Sequence, residues 1–305
     1  MGKFYLGHLS YNGSNYHGWQ KQKDLPTIQE TIFDTIRGLY EFGRIDVKAT
    51  SRTDRGVHAF SQVVKMLIPR RVDPHELQEK LNEALPGDLY FHQFERINKS
   101  FKVTYLSESK EYLYFFSPTQ TKNLPSFVGY IEPSFSDFDW QALDECLDSL
   151  VGRNFFGQYQ HKSDTKGDFY RLLKKAKCVK ASSLFPGFFS DHDDIYVFHF
   201  EGEGFLKQMV RLLVATLLKV GLGLISAQSF KDSLVEEGYL EREKLGFIAP
   251  AEGLFLYHVH FPRVFVGGAW REVVDKRGFE SKFAHFELWQ SEREGFPIVF
   301  RNPKD

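Results

Sequence analysis

One carboxylate is placed as a reactive group would be. Asp54 lies in a polar turn between Arg52 and Arg55, and strand-like segments at 46–50 and 58–68 flank that turn. Nearby positive charge favours the ionised form of an aspartate. An ionised aspartate on a rigid turn can act as a nucleophile, a general base or an ion-pair anchor. A Thr-Asp-x-Gly sequence is also ordinary turn chemistry, in which the aspartate bonds its own backbone, and the turn alone favours that interpretation.

The residues around Asp54 give the turn a wider context. They resemble the catalytic motif of the TruA-type tRNA pseudouridine synthases, Gly-Arg-Thr-Asp-x-Gly-Val-His followed by Gln-Val. The matching residues are Arg52, Thr53, Asp54, Gly56, Val57, His58, Gln62 and Val63. Ser51 stands where the family has glycine. With this context the catalytic interpretation of Asp54 is favoured over the plain turn.

Further strings resemble the same family, in the family's order. Residues 11–22 are similar to its Tyr-Asp-Gly-x-x-Tyr-x-Gly-Trp-Gln-x-Gln signature, with Asn12 in place of the aspartate. The other matches are Leu-Pro-Gly-Asp at 85–88, Lys-Glu-Tyr-Leu-Tyr at 110–114, Gly-Phe-Leu-Lys-Gln-Met-Val-Arg at 204–211 and Ala-Pro-Ala-Glu-Gly-Leu at 249–254. The resemblance covers about residues 3–262 and leaves the C-terminal segment outside.

The resemblance implies roles for four residues. Asp54 would be the nucleophile, and Tyr112 would pack against the target base. Arg52 would help to move the target nucleotide out of its stack, because a flat cation can stack on bases and fork onto phosphate. Arg211 would pair with Asp54. Taken alone, Tyr112 is a core or cross-strand aromatic, Arg52 is a phosphate or solvent contact, and Arg211 is a surface arginine.

The implied reaction is the isomerisation of uridine to pseudouridine in the tRNA anticodon stem-loop, at positions 38–40, by an enzyme without cofactor or metal. The resemblance also implies a homodimer with RNA on both subunits. Attack at C1′, attack at C6 and a glycal route all stay open. His17 and His58 are expected to be structural, because neither has a partner pattern that would tune a general base. The alternatives are a synthase of this fold with another RNA substrate, and a non-catalytic RNA-binding module.

Composition limits the other possibilities. The 305 residues are 42% hydrophobic, with a net charge of −1, which gives no overall signal for nucleic acid. Residues 161–180 hold seven basic residues against two acidic ones, as in a solvated face or a phosphate-contacting strip. Two distant cysteines argue against a disulfide framework or a zinc site. The apolar stretch 209–225 is interrupted by Arg211 and Lys219, so we expect a soluble, cytosolic protein.

Periodicity predicts the elements that hold these residues. Thr27 and Glu30 form a capping box ahead of a helix over about 28–42, and Asp73 with Pro74 begins a second helix. With the strands between them, the order is β-α-β-β-α-β, which is the ferredoxin-like pattern. The second half mixes strands with helices at 140–150, about 205–220 and about 226–237.

The predicted fold class is therefore α+β. Two ferredoxin-like halves would form a largely antiparallel sheet with helices packed on it and an active-site cleft between the halves. The predicted domains are 1–104, which carries Asp54, and 105–262. Residues 263–305 hold too many aromatics for a free tail, so we expect this extension to pack on the body or on a dimer partner.

Overall fold

The structure is a computed structural model of the chain. It describes residues 2–118, 124–132, 138–161, 167–187, 189, 194–236, 248–261, 264–266, 269–271 and 297–299. For Glu132 and the last three segments it describes the backbone only. The chain divides into two compact units, one built from Met1–Lys110 with the segment that starts at Phe255, and one built from Glu111–Leu254 with β13, the strand Pro297–Val299.

The first unit contains six elements in the predicted β-α-β-β-α-β order. They are β1 (Lys3–Tyr11), α1 (Ile28–Leu39), β2 (Asp46–Ala49), β3 (His58–Ile68), α2 (Pro74–Ala84) and β4 (Leu89–Ile97). The strands lie in the order β4-β1-β3-β2, and every pairing among them is antiparallel. A late strand, β10 (Leu254–His260), joins β3 in parallel, with Phe255 opposite His58.

Local sequence explains both helices of this unit. The Thr27 side chain accepts a hydrogen bond from the Glu30 amide, and Ile28, Ile32 and Ile36 are buried along one face of α1. Asp73 caps α2 in the same way, by accepting from the His75 amide. The first helix ends at Leu39 rather than near 42, because the backbone leaves helical geometry at the residue that follows.

The second unit combines further strands with helices. Its further elements are β5 (Ser109–Ser117), β6 (Gly129–Glu132), α3 (Trp140–Leu150), β7 (Gly152–Phe155), β8 (Tyr170–Lys180), α4 (Ala181–Leu184), β9 (Tyr196–Gly202), α5 (Met209–Gly221) and α6 (Ala227–Asp232). The strand order is β5-β9-β8-β7, and β6 runs parallel to the end of β5. The described chain is thus a mixed α+β protein, as the sequence predicted.

Two predicted helices of this unit have different ends. α5 begins at Met209 instead of near 205, because Gln208 adopts a left-handed backbone with φ of 62°, which no α-helix can contain. α6 is shorter than the predicted 226–237, and residues 237–247 lie outside the described part of the chain. Every residue of α5 except Arg211 and Lys219 is buried, so α5 is a core helix.

The predicted extension 263–305 is described only in part. Val264–Val266 and Ala269–Arg271 form the antiparallel strands β11 and β12, and β13 pairs in parallel with β6. Residues 272–296 and 300–305 lie outside the described residues. None of the described helices has the length and apolar character needed to cross a membrane.

Candidate active site

Asp54 lies in the loop that connects β2 to β3. Its backbone carbonyl accepts a hydrogen bond from the Val57 amide at 3.2 Å, so the chain turns directly after the carboxylate. The Asp54 side chain is half-buried, whereas Arg52 and Arg55 are exposed. In the described part of the chain, neither of these arginine side chains has a hydrogen bond, an ion pair or a ring contact. Both cations are therefore available to a ligand beside the carboxylate.

Thr53, the residue before the carboxylate, is fixed through its side chain and its backbone. Its hydroxyl is hydrogen-bonded to the buried hydroxyl of Tyr11 at 2.8 Å. Its carbonyl accepts from the Trp19 amide at 3.0 Å, and Trp19 is itself buried. Buried, satisfied polar contacts of this kind favour a single arrangement. Asp54 therefore projects from a rigid support.

Gly18 makes the close approach to Thr53 possible. Its φ is 90°, and a Cβ atom placed on it would lie 2.6 Å from the Thr53 carbonyl oxygen. A side chain here would meet both a strained backbone and a clash with the backbone of the Asp54 loop. The glycine at this position of the N-terminal signature thus sets the position of the loop.

We predict that Gly18→Ala displaces the loop, lowers kcat at least about 100-fold and destabilises the fold by roughly 1–3 kcal/mol. Turnover in the reaction that the sequence resemblance implies and the free energy of unfolding in urea measure the two effects. Gly38→Ala is the matched control, because Gly38 lies in α1 with open space where its Cβ would be. That change should be neutral or stabilise by about 0.5–1 kcal/mol. Equal turnover in the two variants would contradict the assigned role of Gly18.

A buried amide holds the start of the loop. Gln62 on β3 donates from Nε2 to the Ser51 carbonyl at 2.8 Å, and its Oε1 accepts from the Ser51 amide at 3.2 Å. The serine in place of the family's glycine is tolerated, because the only described non-glycine residues with positive φ are Asp24 and Gln208. Sequence reasoning matched Gln62 to the family motif but assigned it no role.

His58 at the end of the loop makes contacts that tie together separate parts of the first unit. Its Nδ1 accepts a hydrogen bond from the Gly13 amide at 3.1 Å, so that nitrogen carries no proton. Its ring stacks on Phe255 of β10, with the ring centroids 4.6 Å apart. The imidazole therefore fastens the N-terminal turn to the start of β3.

Two strings that are far apart in the sequence meet beside this loop. The backbone N–H of Asn12 donates to the backbone carbonyl of Asp88 at 2.9 Å, and the Tyr16 hydroxyl donates to the Asp88 carboxylate at 2.7 Å. Burial and the neighbouring Asp88 raise the pKa of Tyr16, so the phenol stays a proton donor at neutral pH. The Asn12 side-chain oxygen accepts from the Ser14 amide at 3.0 Å, a contact that the family's aspartate would also make. The Tyr16 carbonyl then accepts from the Gly56 amide at 3.3 Å.

Tyr112 belongs to the second unit, on β5. It is 8% exposed, and its ring meets the Phe205 ring edge-on at a centroid separation of 5.0 Å. Tyr114 lies on the same side of the strand and is fully buried. Of the two tyrosines, Tyr112 alone retains surface for a ligand.

Arg211 lies in the first turn of α5 and is half-buried. Its Nε donates to the Ala249 carbonyl at 2.6 Å, and the Ala249 amide donates back to the Arg211 carbonyl at 3.3 Å. The Ala-Pro-x-x-Gly-Leu string thus orients the guanidinium, which sequence reasoning did not foresee. The pairing of Arg211 with Asp54 concerns both units and stays a prediction.

Some basic residues of the strip 161–180 make contacts within the protein, and others are exposed. Lys162, Asp164 and Lys166 lie outside the described residues. Of the rest, Lys175 lies 3.7 Å from both Glu111 and Glu201, and Arg171 donates to two nearby carbonyls. The exposed basic residues are Lys174, Lys177 and Lys180. Part of the strip therefore serves the fold rather than a ligand.

The two thiols of the chain are unsuited to act as nucleophiles. Burial raises the pKa of Cys146 to about 11 and also raises that of Cys178. Both thiols are therefore protonated at neutral pH, and a protonated thiol is a poor nucleophile.

Comparison with known proteins places these features in a family. A family model described as tRNA pseudouridine synthase matches residues 9–105 and 147–262. The tRNA pseudouridine synthase A of Acetivibrio thermocellus is 29% identical over 253 residues, covering 83% of this chain and 97% of the relative. Those of Lactobacillus helveticus and Methylacidiphilum infernorum are each 30% identical, cover 83% of this chain, and are themselves covered to 92% and 94%.

Proposed function

Because the chain belongs to the tRNA pseudouridine synthase family, we propose that it isomerises uridine in the tRNA anticodon stem-loop with Asp54 as the nucleophile. The family activity is an intramolecular isomerisation, which converts uridine in tRNA to pseudouridine. The finer assignment concerns the substrate position and the reacting side chain.

One observation carries the assignment of Asp54. The carboxylate is half-buried on a loop that Tyr11, Gly18 and Gln62 hold in place, and it stands between two exposed arginines without described partners. A loop fixed by buried bonds keeps a reacting group in position without cost at the moment of reaction. Unpaired cations beside it suit a polyanionic substrate.

The chemistry requires only a carboxylate that can act on an everted base. The glycosidic N1–C1′ bond breaks, the uracil turns within the site, and a C5–C1′ bond forms. C5 loses its proton and N1 gains one, so the reaction balances without redox change. Asp54 would attack C1′ or C6, or would remove the C2′ proton to form a glycal. The target nucleotide must leave its stack before any of these steps.

The remaining site residues follow from the same proposal. Arg52 is exposed. It would occupy the space that the everted uridine leaves in the base stack, and its paired guanidinium N–H groups would bind phosphate. Tyr112 would pack its ring against the base. Arg211, oriented by the Ala249 carbonyl, would hold Asp54 in its ionised form.

We also propose the family's architecture of two ferredoxin-like halves with the active-site cleft between them, assembled as a homodimer. The strand order β4-β1-β3-β2 supports this for the first half. With β6, β7 and α4 left aside, the elements β5, α3, β8, β9, α5 and β10 follow one another in the same β-α-β-β-α-β pattern, although most of β10 belongs to the first compact unit.

The substrate assignment is tested by mapping. The protein is incubated with unmodified tRNA transcripts, and each new pseudouridine is located by chemical labelling and primer extension. We expect products in the anticodon stem-loop. Products confined to another arm, or to another RNA, would refute the substrate position while leaving the family activity intact.

A further inference from the structure

The arginines without partners occur in two places. Among the arginines whose side chains the structure describes, four have no hydrogen bond, ion pair or ring contact: Arg44, Arg52, Arg55 and Arg71. Arg52 and Arg55 flank the proposed nucleophile. Arg44 and Arg71 lie elsewhere in the same unit and are also exposed. An exposed arginine without an internal partner is available to bind a carboxylate or phosphate, for which its planar guanidinium is suited.

Arg44 and Arg71 belong to one surface. Arg44 lies just before β2, Arg71 lies just after β3, and Asp46 at the start of β2 pairs with Leu67 near the end of β3. The two connections therefore leave the sheet at the same end. They also touch, because a Cβ atom on Gly43 would lie 2.6 Å from the Pro69 side chain.

Two more residues complete this surface. Phe42 is 85% exposed, in the turn that carries Arg44. The exposed Arg70 places its guanidinium over the buried Tyr40 ring, 5.0 Å from the centroid. Phe42, Arg44, Arg70 and Arg71 are called the distal patch below.

The distal patch is far from Asp54 along the strand that joins them. Arg52 and Arg55 precede β3, whereas Arg70 and Arg71 follow it, and β3 has 11 residues. At about 3.3 Å per residue, this strand separates the two arginine pairs by roughly 30 Å. A nucleic acid that touches both must therefore extend over about ten base pairs, at roughly 3 Å per pair.

We propose that the distal patch binds a second region of the tRNA, with Arg44 and Arg71 on phosphates and Phe42 stacked on an unpaired base. The inference rests on tRNA being the substrate. Exposed arginines and a flat aromatic are the groups that bind RNA backbone and unstacked bases. Of the neighbouring acids, Asp46 pairs with Lys48, Glu76 pairs with Lys80 and Asp73 caps α2, while Glu41 and Glu83 are exposed. A protein partner would need a larger apolar core than one phenylalanine provides.

The test compares substrates of two lengths. The triple variant Phe42→Ser/Arg44→Ala/Arg71→Ala removes side chains without described internal contacts, so its melting temperature should equal that of the parent protein. On full-length tRNA, KM should rise about tenfold or more with kcat retained, because a stacked base and two phosphate contacts are lost. The dependence of log KM on log salt should fall by about two. On a hairpin of about five base pairs, too short to reach the patch, the difference between variant and parent should vanish.

Lys231→Ala is the control for loss of surface charge, since Lys231 lies on α6 and pairs with Glu145. An unchanged KM for full-length tRNA in the triple variant would overturn the proposal. An equal rise in KM on the short hairpin would also overturn it, by showing that the effect acts at the Asp54 loop. Failure of the parent protein to modify any tRNA would instead refute the proposed function, so the two failures are distinguishable.

Discussion

Asp54→Asn should abolish pseudouridine formation, lowering turnover by roughly 10⁴-fold or more, while tRNA binding is retained. The amide keeps the size and most of the hydrogen bonding of the carboxylate, but it is neither a nucleophile nor a base. The loop contacts of Thr53, Ser51 and His58 do not involve the Asp54 side chain, so the fold should persist. Tritium release from C5 of labelled uridine measures turnover, and filter binding measures affinity.

The control for Asp54→Asn is Asp34→Asn, which changes an exposed aspartate on α1 by the same single charge. It should leave turnover unaltered. Activity of the Asp54 variant near the parent level would show that another group performs the reaction. Loss of tRNA binding together with activity would instead indicate an RNA-contact role for Asp54.

Arg211→Met should reduce kcat by roughly 10²–10³-fold if Arg211 pairs with Asp54 as proposed, because truncating one partner of a desolvated charge pair costs several kcal/mol. Stability should change far less. Methionine fills the space of the arginine stem within α5, and the lost bond to the Ala249 carbonyl is worth only about 1–3 kcal/mol. Single-turnover rates and urea unfolding separate the two effects.

Two further variants isolate the reason for the Arg211 effect. Arg211→Lys keeps the charge but loses the planar guanidinium, so we expect an intermediate rate. Arg153→Met removes an exposed guanidinium that lies 5.3 Å from the Tyr170 ring centroid and should leave the rate unchanged. Turnover in Arg211→Met equal to that of the parent protein would refute the proposed pair with Asp54.

Local signals made the fold of the first unit predictable. A capping box, an Asp-Pro helix start and apolar residues at helical spacing act within a few residues, and α1, α2 and the strands around them follow those signals. The Asp54 turn was predictable for the same reason. The sequence predicted too early a start for α5. Apolar residues at helical spacing extend back to Phe205, but the left-handed backbone of Gln208 prevents the helix from starting before Met209.

The support for the site was not predictable from local signals. Gln62 on β3 reaches back to Ser51 in the preceding loop, Tyr16 reaches Asp88, and Arg211 reaches a carbonyl 38 residues away. These bonds depend on the tertiary arrangement, and no periodicity in the chain encodes them. The family motifs contain most of these residues, but a motif does not show which residue is hydrogen-bonded to which.

The ring stack between His58 and Phe255 has a consequence for how the protein is made. Nearly 200 residues must leave the ribosome after His58 before its neighbour on β10 exists. Pairings this distant in sequence form late and slowly. A nascent chain halted before β10 should therefore lack the ring contact that supports the end of the Asp54 loop. We expect such a chain to modify no tRNA until translation has passed Phe255.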